Sequence, residues 1–196
     1  MRHSPAGRIA GEVLRSRDVQ MFHDHILVKE PGTAKRTPWH QDMPYYCVDG
    51  MQTVSYWIPL DPVSEANTLR LVLGSHLWPK LVRPVSWAAG ESFYANDADF
   101  MDMPDVDRGI ESGTLRILAP ALEPGDAILF NYRTVHGAGG NVGTARRRAF
   151  SCRFIGDDVR FAERPGRTSP PYPGIGQKGG ERLREDWFPT VWRAEI

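Results

Sequence analysis

Three residues in this chain have the types and spacing that metal chemistry needs: His40 and Asp42 in the tripeptide His40-Gln41-Asp42, and His136, 96 positions after His40. On an extended segment, residues i and i+2 project to the same face, so an imidazole and a carboxylate converge on one point. His136 follows the strand-like text AILFNYR (127–133), and a β-fold can bring it alongside. Two histidines and one carboxylate occupy one face of an octahedron and leave three positions open, the arrangement that suits non-haem iron(II). His-x-Asp tripeptides arise often by chance, so the spacing alone does not fix the assignment.

Arg147 strengthens it. This residue lies 11 positions after His136, at the start of RRAFSCRFI (147–155). Strand alternation places Arg147, Ala149, Ser151 and Arg153 on one face and Arg148, Phe150, Cys152 and Phe154 on the other. The Ala/Ser face leaves room for a cavity, and the Phe/Cys/Phe face suits packing against a covering layer. Of the triple Arg146-Arg147-Arg148, Arg147 is therefore the one expected to point inward. A buried guanidinium needs an anionic partner and pairs best with a carboxylate in a bidentate fork. A dicarboxylate could chelate the metal at one end and meet Arg147 at the other.

The elements that must position these side chains are short and β-rich. Strand-like segments run over Val19–Lys29, Pro38–Gln41, Gln52–Leu60, Leu69–Leu73, Leu115–Leu118, Ala127–Tyr132 and Arg147–Ile155. Turn signals separate them: Pro31-Gly32, Asp49-Gly50, Gly74-Ser75, Pro124-Gly125 and a glycine cluster at 137–143. Many short strands with Gly/Pro turns predict a sandwich or barrel. A short helix is expected over 7–17, with little to anchor it. Residues 79–113 break the pattern and carry several acids, which predicts an irregular insertion, either a solvated acidic face or a lid. The Pro/Gly-rich stretch 162–180 reads as an ordered but irregular wrap, because Trp187, Phe188 and Trp192 follow.

Composition sets outer bounds. The 196 residues suit one domain, here expected over 1–196, and are 41 % hydrophobic and 24 % charged. Formal net charge is zero, which gives no basis for nucleic-acid or membrane-surface binding. Two cysteines, Cys47 and Cys152, are no disulfide framework and are expected to be buried and reduced. There is no apolar run of spanning length. The first 18 residues, MRHSPAGRIAGEVLRSRD, lack the apolar core of a secretory leader. The expectation is a cytoplasmic protein.

With these residues in view, the chain resembles the phytanoyl-CoA dioxygenase family of iron(II)/2-oxoglutarate oxygenases. The matching blocks are TPWHQDMPYY, SYWIPLD, LRLVLGSH, EPGDAILFNYRTVHGAGGN and RRAFSCRF, in family order between about residues 20 and 158. The resemblance implies a mainly β double-stranded β-helix, a cupin-like jelly roll with few peripheral helices. It implies Fe(II), 2-oxoglutarate and O2 as cofactor and cosubstrates. His40, Asp42 and His136 match the metal ligands and Arg147 the grip on the distal carboxylate of 2-oxoglutarate. Gln41, Trp57 and Thr68 match positions that line the cosubstrate pocket in relatives. The implied reaction hydroxylates an unactivated C–H bond of a small molecule, with release of succinate and CO2. Related halogenases replace the carboxylate of the triad by a small residue, so retention of Asp42 argues against halogenation.

Alternatives stay open at this point. The same cofactors support desaturation, cyclisation or epimerisation, and a catalytically silent binding protein could keep the scaffold. His23 and His25 form a second metal-like pair, but the bland reading is a partly exposed strand. Likewise His76 reads as a turn residue and Lys29 as a solvated strand end. For Trp39, Tyr45 and Tyr46, packing and substrate contact are equally good readings. Arg153 could bind a second anion or pair with an acid such as Asp126. Relatives usually carry a longer region before the His-x-Asp segment than the 39 residues here. The apolar face of Phe150, Cys152 and Phe154 would then want a cover, from a homodimer partner or from a part of the chain cut away.

Overall fold

A computed structural model describes residues 3–87, 93–94 and 99–195. Thirteen strands and two helices occur among these residues. The strands are β1 (Asp18–Lys29), β2 (Thr37–His40), β3 (Val48–Asp49), β4 (Thr53–Pro59), β5 (Arg70–Val72), β6 (Leu81–Val82) and β7 (Phe100–Met101). They continue with β8 (Ile117–Leu118), β9 (Ile128–Phe130), β10 (His136–Ala138), β11 (Arg147–Ile155), β12 (Arg160–Phe161) and β13 (Thr190–Arg193). The helices are α1 (Ala6–Leu14) and α2 (Val106–Glu111).

Two antiparallel sheets build the expected jelly roll. The larger has the order β13-β1-β11-β4-β9 and the smaller β2-β10-β5-β8. Their facing sides enclose Trp57, Leu69, Leu71, Ile128, Phe130 and Ala149. The alternation expected along β11 holds: Arg147, Ala149, Ser151 and Arg153 are buried on the inner side, and Arg148 is exposed. Register then sets inner-face neighbours across three strands. Arg153 lies between His23 of β1 and Ser55 of β4, Ser151 between His25 and Trp57, and Arg147 beside Lys29.

The outer side of the large sheet is covered from within the chain. Cys152 and Phe154, both fully buried, pack with Val54, Tyr56, Ala10 and Trp192. The homodimer expectation rested on an uncovered face, and over Cys152 and Phe154 that premise fails. Phe150 is half-buried, and its neighbour across the strands, Ile26, is 63 % exposed. The anchor that the sequence did not show for α1 is Trp192, more than 180 residues away. Gly7 and Gly11 sit one turn apart on the helix; the missing side chain of Gly11 admits the Trp192 ring, and that of Gly7 admits Val191 and the Trp192 β-carbon. The Tyr56 hydroxyl donates to the Ala6 carbonyl at 3.0 Å, and the Gln52 amide donates to Leu14 at the helix end at 3.1 Å.

Segment 79–113 is more regular than expected. Its described part contains the parallel pair β6–β7 and helix α2, whose N-terminus is capped by the Asp105 carboxylate accepting from the Arg108 amide. The acids Glu91 and Asp97 of the proposed lid lie outside the described residues. The tail wraps as expected: Ile175, Leu183 and Phe188 enter a core with Phe22, Tyr46 and Tyr132. Both cysteines are buried and free. No described helix is long and apolar enough to cross a membrane.

A β-carbon at Gly11 would stand 2.2 Å from the Trp192 ring. Helix propensity favours alanine over glycine by about 1 kcal/mol, whereas overpacking costs about 1–3 kcal/mol. Gly11→Ala is expected to lower unfolding free energy by about 1–2 kcal/mol in urea titrations. In a Trp192→Ala background the same substitution should be neutral or stabilising. Equal effects in both backgrounds would show that α1 does not lean on Trp192.

Candidate metal and cosubstrate site

Antiparallel pairing brings the two histidines together. His136 of β10 is the direct cross-strand partner of His40 of β2, so both rings leave the same face, with centroids 4.1 Å apart. Each Nδ1 is fixed by a backbone carbonyl two residues back: His40 to Pro38 at 2.8 Å and His136 to Thr134 at 2.9 Å. With Nδ1 as donor, both rings turn a free Nε2 lone pair towards the same point.

Asp42 reaches that point by a different route from the one the sequence suggested. Strand β2 ends at His40, and Asp42 has helical φ/ψ (−72°, −42°) as the residue before a 3-10 turn at Met43–Tyr45. The turn, not strand alternation, aims the carboxylate. Its Oδ1 lies 3.7 Å from His40 Nε2 and 3.8 Å from His136 Nε2. All three side chains are buried, and their ligating atoms lie within 4.8 Å of one another. Three donors of mixed nitrogen and oxygen type on one side, with a cavity on the other, fit iron(II).

The outer oxygen of Asp42 has its own partners. Ser55 Oγ donates to Oδ2 at 2.9 Å and Arg153 Nε at 3.2 Å. Burial alone would raise the Asp42 carboxyl, but Arg153, His136, His40 and Ser55 together hold it well below the usual carboxylate range. Burial would lower Arg153, and the Asp42 carboxylate more than restores it. Arg153 is thus paired with Asp42 of the metal segment, and not with Asp126. No local motif marks Ser55, whose place depends on the β4–β11 register.

A cavity of about 1100 Å3 opens from the triad. At one end stand Arg147, Lys29, Trp57 and Leu69. Arg147 is 5 % exposed; its Nη1 donates to the Asn67 carbonyl at 2.7 Å and its guanidinium lies 5.6 Å from the Trp57 ring centre. Among the described residues it has no carboxylate partner, and its Nε is buried without a hydrogen-bond partner. Thr68, fully buried beside Asn67, has a hydroxyl in the same state. A buried cation with an unspent donor is costly unless an anion meets it, and a carboxylate group is an anion whose geometry suits a guanidinium. Lys29 is no solvated strand end. Its ammonium donates to the Lys35 and Gly139 carbonyls, and burial together with Arg147 pushes it down to about 8.

Gln41 differs from expectation. Its amide nitrogen donates to the Arg133 carbonyl at 2.6 Å and its oxygen accepts from the Val82 amide at 2.8 Å. Both ends are spent on backbone, and Gln41 faces a small separate cavity with Trp39 and Val82. Trp39 also faces away from the metal ligands, under Arg70 and donating to Asp107 at 3.2 Å. The other end of the main cavity is aromatic, with Tyr45, Tyr46, Trp87, Phe93 and Tyr172, and holds His23 and His25. Trp87, 51 % exposed, meets the His40 ring edge-on at 4.7 Å.

A jelly roll that gathers two histidines and an aspartate beside a buried, unpaired arginine defines the class of non-haem iron proteins that use a dicarboxylate cosubstrate. The chain belongs to the phytanoyl-CoA dioxygenase family, whose model matches residues 2–149. A probable phytanoyl-CoA dioxygenase of Caenorhabditis elegans is 28 % identical over 164 residues, covering 77 % of this chain and 47 % of that protein. The chain spans about half the length of the curated relatives it matches. Among solved structures, the non-haem alpha-ketoglutarate-dependent epimerase SnoN from nogalamycin biosynthesis superposes with a TM-score of 0.69. It is 22 % identical and covers 98 % of this chain and 71 % of that one. The carbocyclase SnoK from the same biosynthesis gives 0.68 at 24 % identity, covering 97 % and 69 %.

Burial, the largest cause, keeps the imidazoles neutral: His23 falls to about 3, helped by the Arg153 cation, and His40 falls to about 3, helped by the repulsion it would feel from a second imidazolium at His136. An unfolded histidine titrates near 6.5, so between about pH 6.5 and 3 the unfolded chain binds protons that the folded chain refuses. Stability is full above that window and falls as pH drops through it. Each such histidine contributes up to about 1.4 kcal/mol per pH unit. The urea midpoint of metal-free protein should therefore fall between pH 7.5 and pH 5, with a shallower fall in His23→Gln. A midpoint that does not move would contradict the buried neutral histidines.

Proposed function

We propose that this chain is a non-haem iron(II)- and 2-oxoglutarate-dependent dioxygenase that hydroxylates an unactivated C–H bond of a small molecule, releasing succinate and CO2. The observation that carries this reading is Arg147. It is a buried cation without an acid among the described residues, in the same cavity that the His40–Asp42–His136 cluster lines. Iron(II) with 2-oxoglutarate supplies the coupling of O2 reduction to oxidative decarboxylation. In this assignment His40, His136 and one oxygen of Asp42 hold the metal, leaving three positions for cosubstrate and dioxygen. Arg147 takes the distal carboxylate, with the Thr68 hydroxyl and the Trp57 ring completing the seat. The aromatic end, with Tyr45, Tyr46, Trp87 and Tyr172, holds the substrate and keeps water from the reacting carbon. Retained Asp42 fills the position that a halide would need.

A second reading keeps every residue role and changes the outcome to ring closure or epimerisation. It is supported by the names of the two structural relatives, an epimerase and a carbocyclase. Product analysis separates the readings: hydroxylation adds one oxygen atom, cyclisation removes two hydrogens, and epimerisation leaves the mass unchanged. Screening a compound library for stimulated succinate release finds the substrate on which to make that measurement.

Anaerobic addition of iron(II) and 2-oxoglutarate should produce the weak visible charge-transfer band of a chelate. Arg147→Ala removes a charge-assisted pair worth about 1.5–3 kcal/mol, so 2-oxoglutarate should bind roughly 10- to 150-fold more weakly. Iron affinity should change by no more than about threefold, because Arg147 is not a ligand. Absence of the band with iron bound would sink the cosubstrate assignment.

A further inference from the structure

Arg153 has no part in the assignment above, although its guanidinium is 5 % exposed and lines the same cavity. Among the described residues its one ion pair is with Asp42, and it reaches Oδ2 only. Ser55 donates to the same oxygen, while Oδ1 faces the two imidazoles. The two oxygens thus have different environments. One is held by two donors on the large sheet, and the other points to where the histidine nitrogens converge. Backbone register builds this arrangement, because Arg153 and Ser55 are direct cross-strand partners on the inner face. The guanidinium is itself fixed: Nη1 lies 3.1 Å from Ser151 Oγ and 3.3 Å from His25 Nδ1, and its carbon lies 5.7 Å from the Tyr46 ring centre.

A carboxylate beside a dication can bind with one oxygen or with both, and the second mode consumes a coordination position. We infer that Arg153, helped by Ser55, is a positioning residue that restrains Asp42 to one-oxygen ligation and so preserves the open positions of the metal. The inference rests on the metal assignment proposed above. Arg153 acts through Asp42; it touches neither cosubstrate nor reacting atoms in this role. A pair serving only to neutralise buried charge would not control how many oxygens reach the metal.

Visible absorption of the cobalt(II)-substituted protein reports coordination number without any cosubstrate. The full chain is compared with Arg153→Gln, Arg153→Lys and Ser55→Ala, each first checked by circular dichroism and thermal unfolding. Arg153→Gln, which removes the charge, should change the cobalt band intensities. It should also weaken 2-oxoglutarate binding to the iron(II) form by about tenfold or more, because an Asp42 that ligates with both oxygens occupies a position the chelate needs. Arg153→Lys, which restores the charge, should bring both back towards wild type. A folded Arg153→Gln protein with the wild-type cobalt spectrum overturns the inference. Should that variant fail to fold, Ser55→Ala decides: the inference requires altered cobalt bands at wild-type thermal stability, and unaltered bands overturn it. A wild-type protein that binds iron yet forms no chelate with 2-oxoglutarate defeats the oxygenase reading instead, and the cobalt spectra still judge Arg153.

Discussion

Keeping Asp42 ionised in the interior is the constraint on which this site depends. A carboxylate at 4 % exposure would neutralise itself unless opposite charge and hydrogen bonds met it there. Arg153 and Ser55 meet it, and both come from strands of the large sheet, whereas Asp42 follows the edge strand of the small one. The contact is therefore also the place where the two sheets are joined by charge. The surrounding polar groups follow from it. The histidines beside it stay neutral, their Nδ1 atoms donate to local carbonyls, and every lone pair that remains is directed to one point.

Strand β11 carries two inward arginines six residues apart, and they differ in one respect. Arg153 is neutralised within the protein, and Arg147 is not. At about 3.3 Å per residue their backbones are separated by roughly 20 Å along the strand. That separation places a satisfied cation beneath the metal segment and an unsatisfied one at the far end of the cavity. A fold that buried both without partners would lose several kcal/mol for each. The chain leaves one such cation unpaired among the described residues, and the proposed function assigns its missing charge to a dianion.

Much of this was legible in the sequence because it is local. Alternation along RRAFSCRFI correctly separated Arg147 from Arg148, since strand periodicity needs no knowledge of the partner strand. The His-x-Asp spacing singled out residues that the fold does bring together, but by a different local route, because the strand ends before Asp42 and a 3-10 turn takes over. What stayed hidden is non-local. Nothing near Ser55 marks it as a neighbour of Arg153, and nothing near Gly11 marks Trp192. Each depends on register or on chain return over long separations, which one sequence does not encode in any short window. The backbone partners of Gln41 stayed hidden for the same reason: Val82 and Arg133 are 41 and 92 residues distant.

Those two bonds of Gln41 have a mechanical consequence. The residue is joined by peptide bonds to His40 on one side and Asp42 on the other, and its side chain pins the start of the segment that leads to Trp87. The root of that mouth segment cannot lift without pulling on the peptide between two metal-facing side chains. Val82 is thus tied to the triad through Gln41, and the Tyr45 hydroxyl, three residues beyond Asp42, adds a second tie by accepting from the Val85 amide at 3.0 Å and donating to its carbonyl at 2.9 Å.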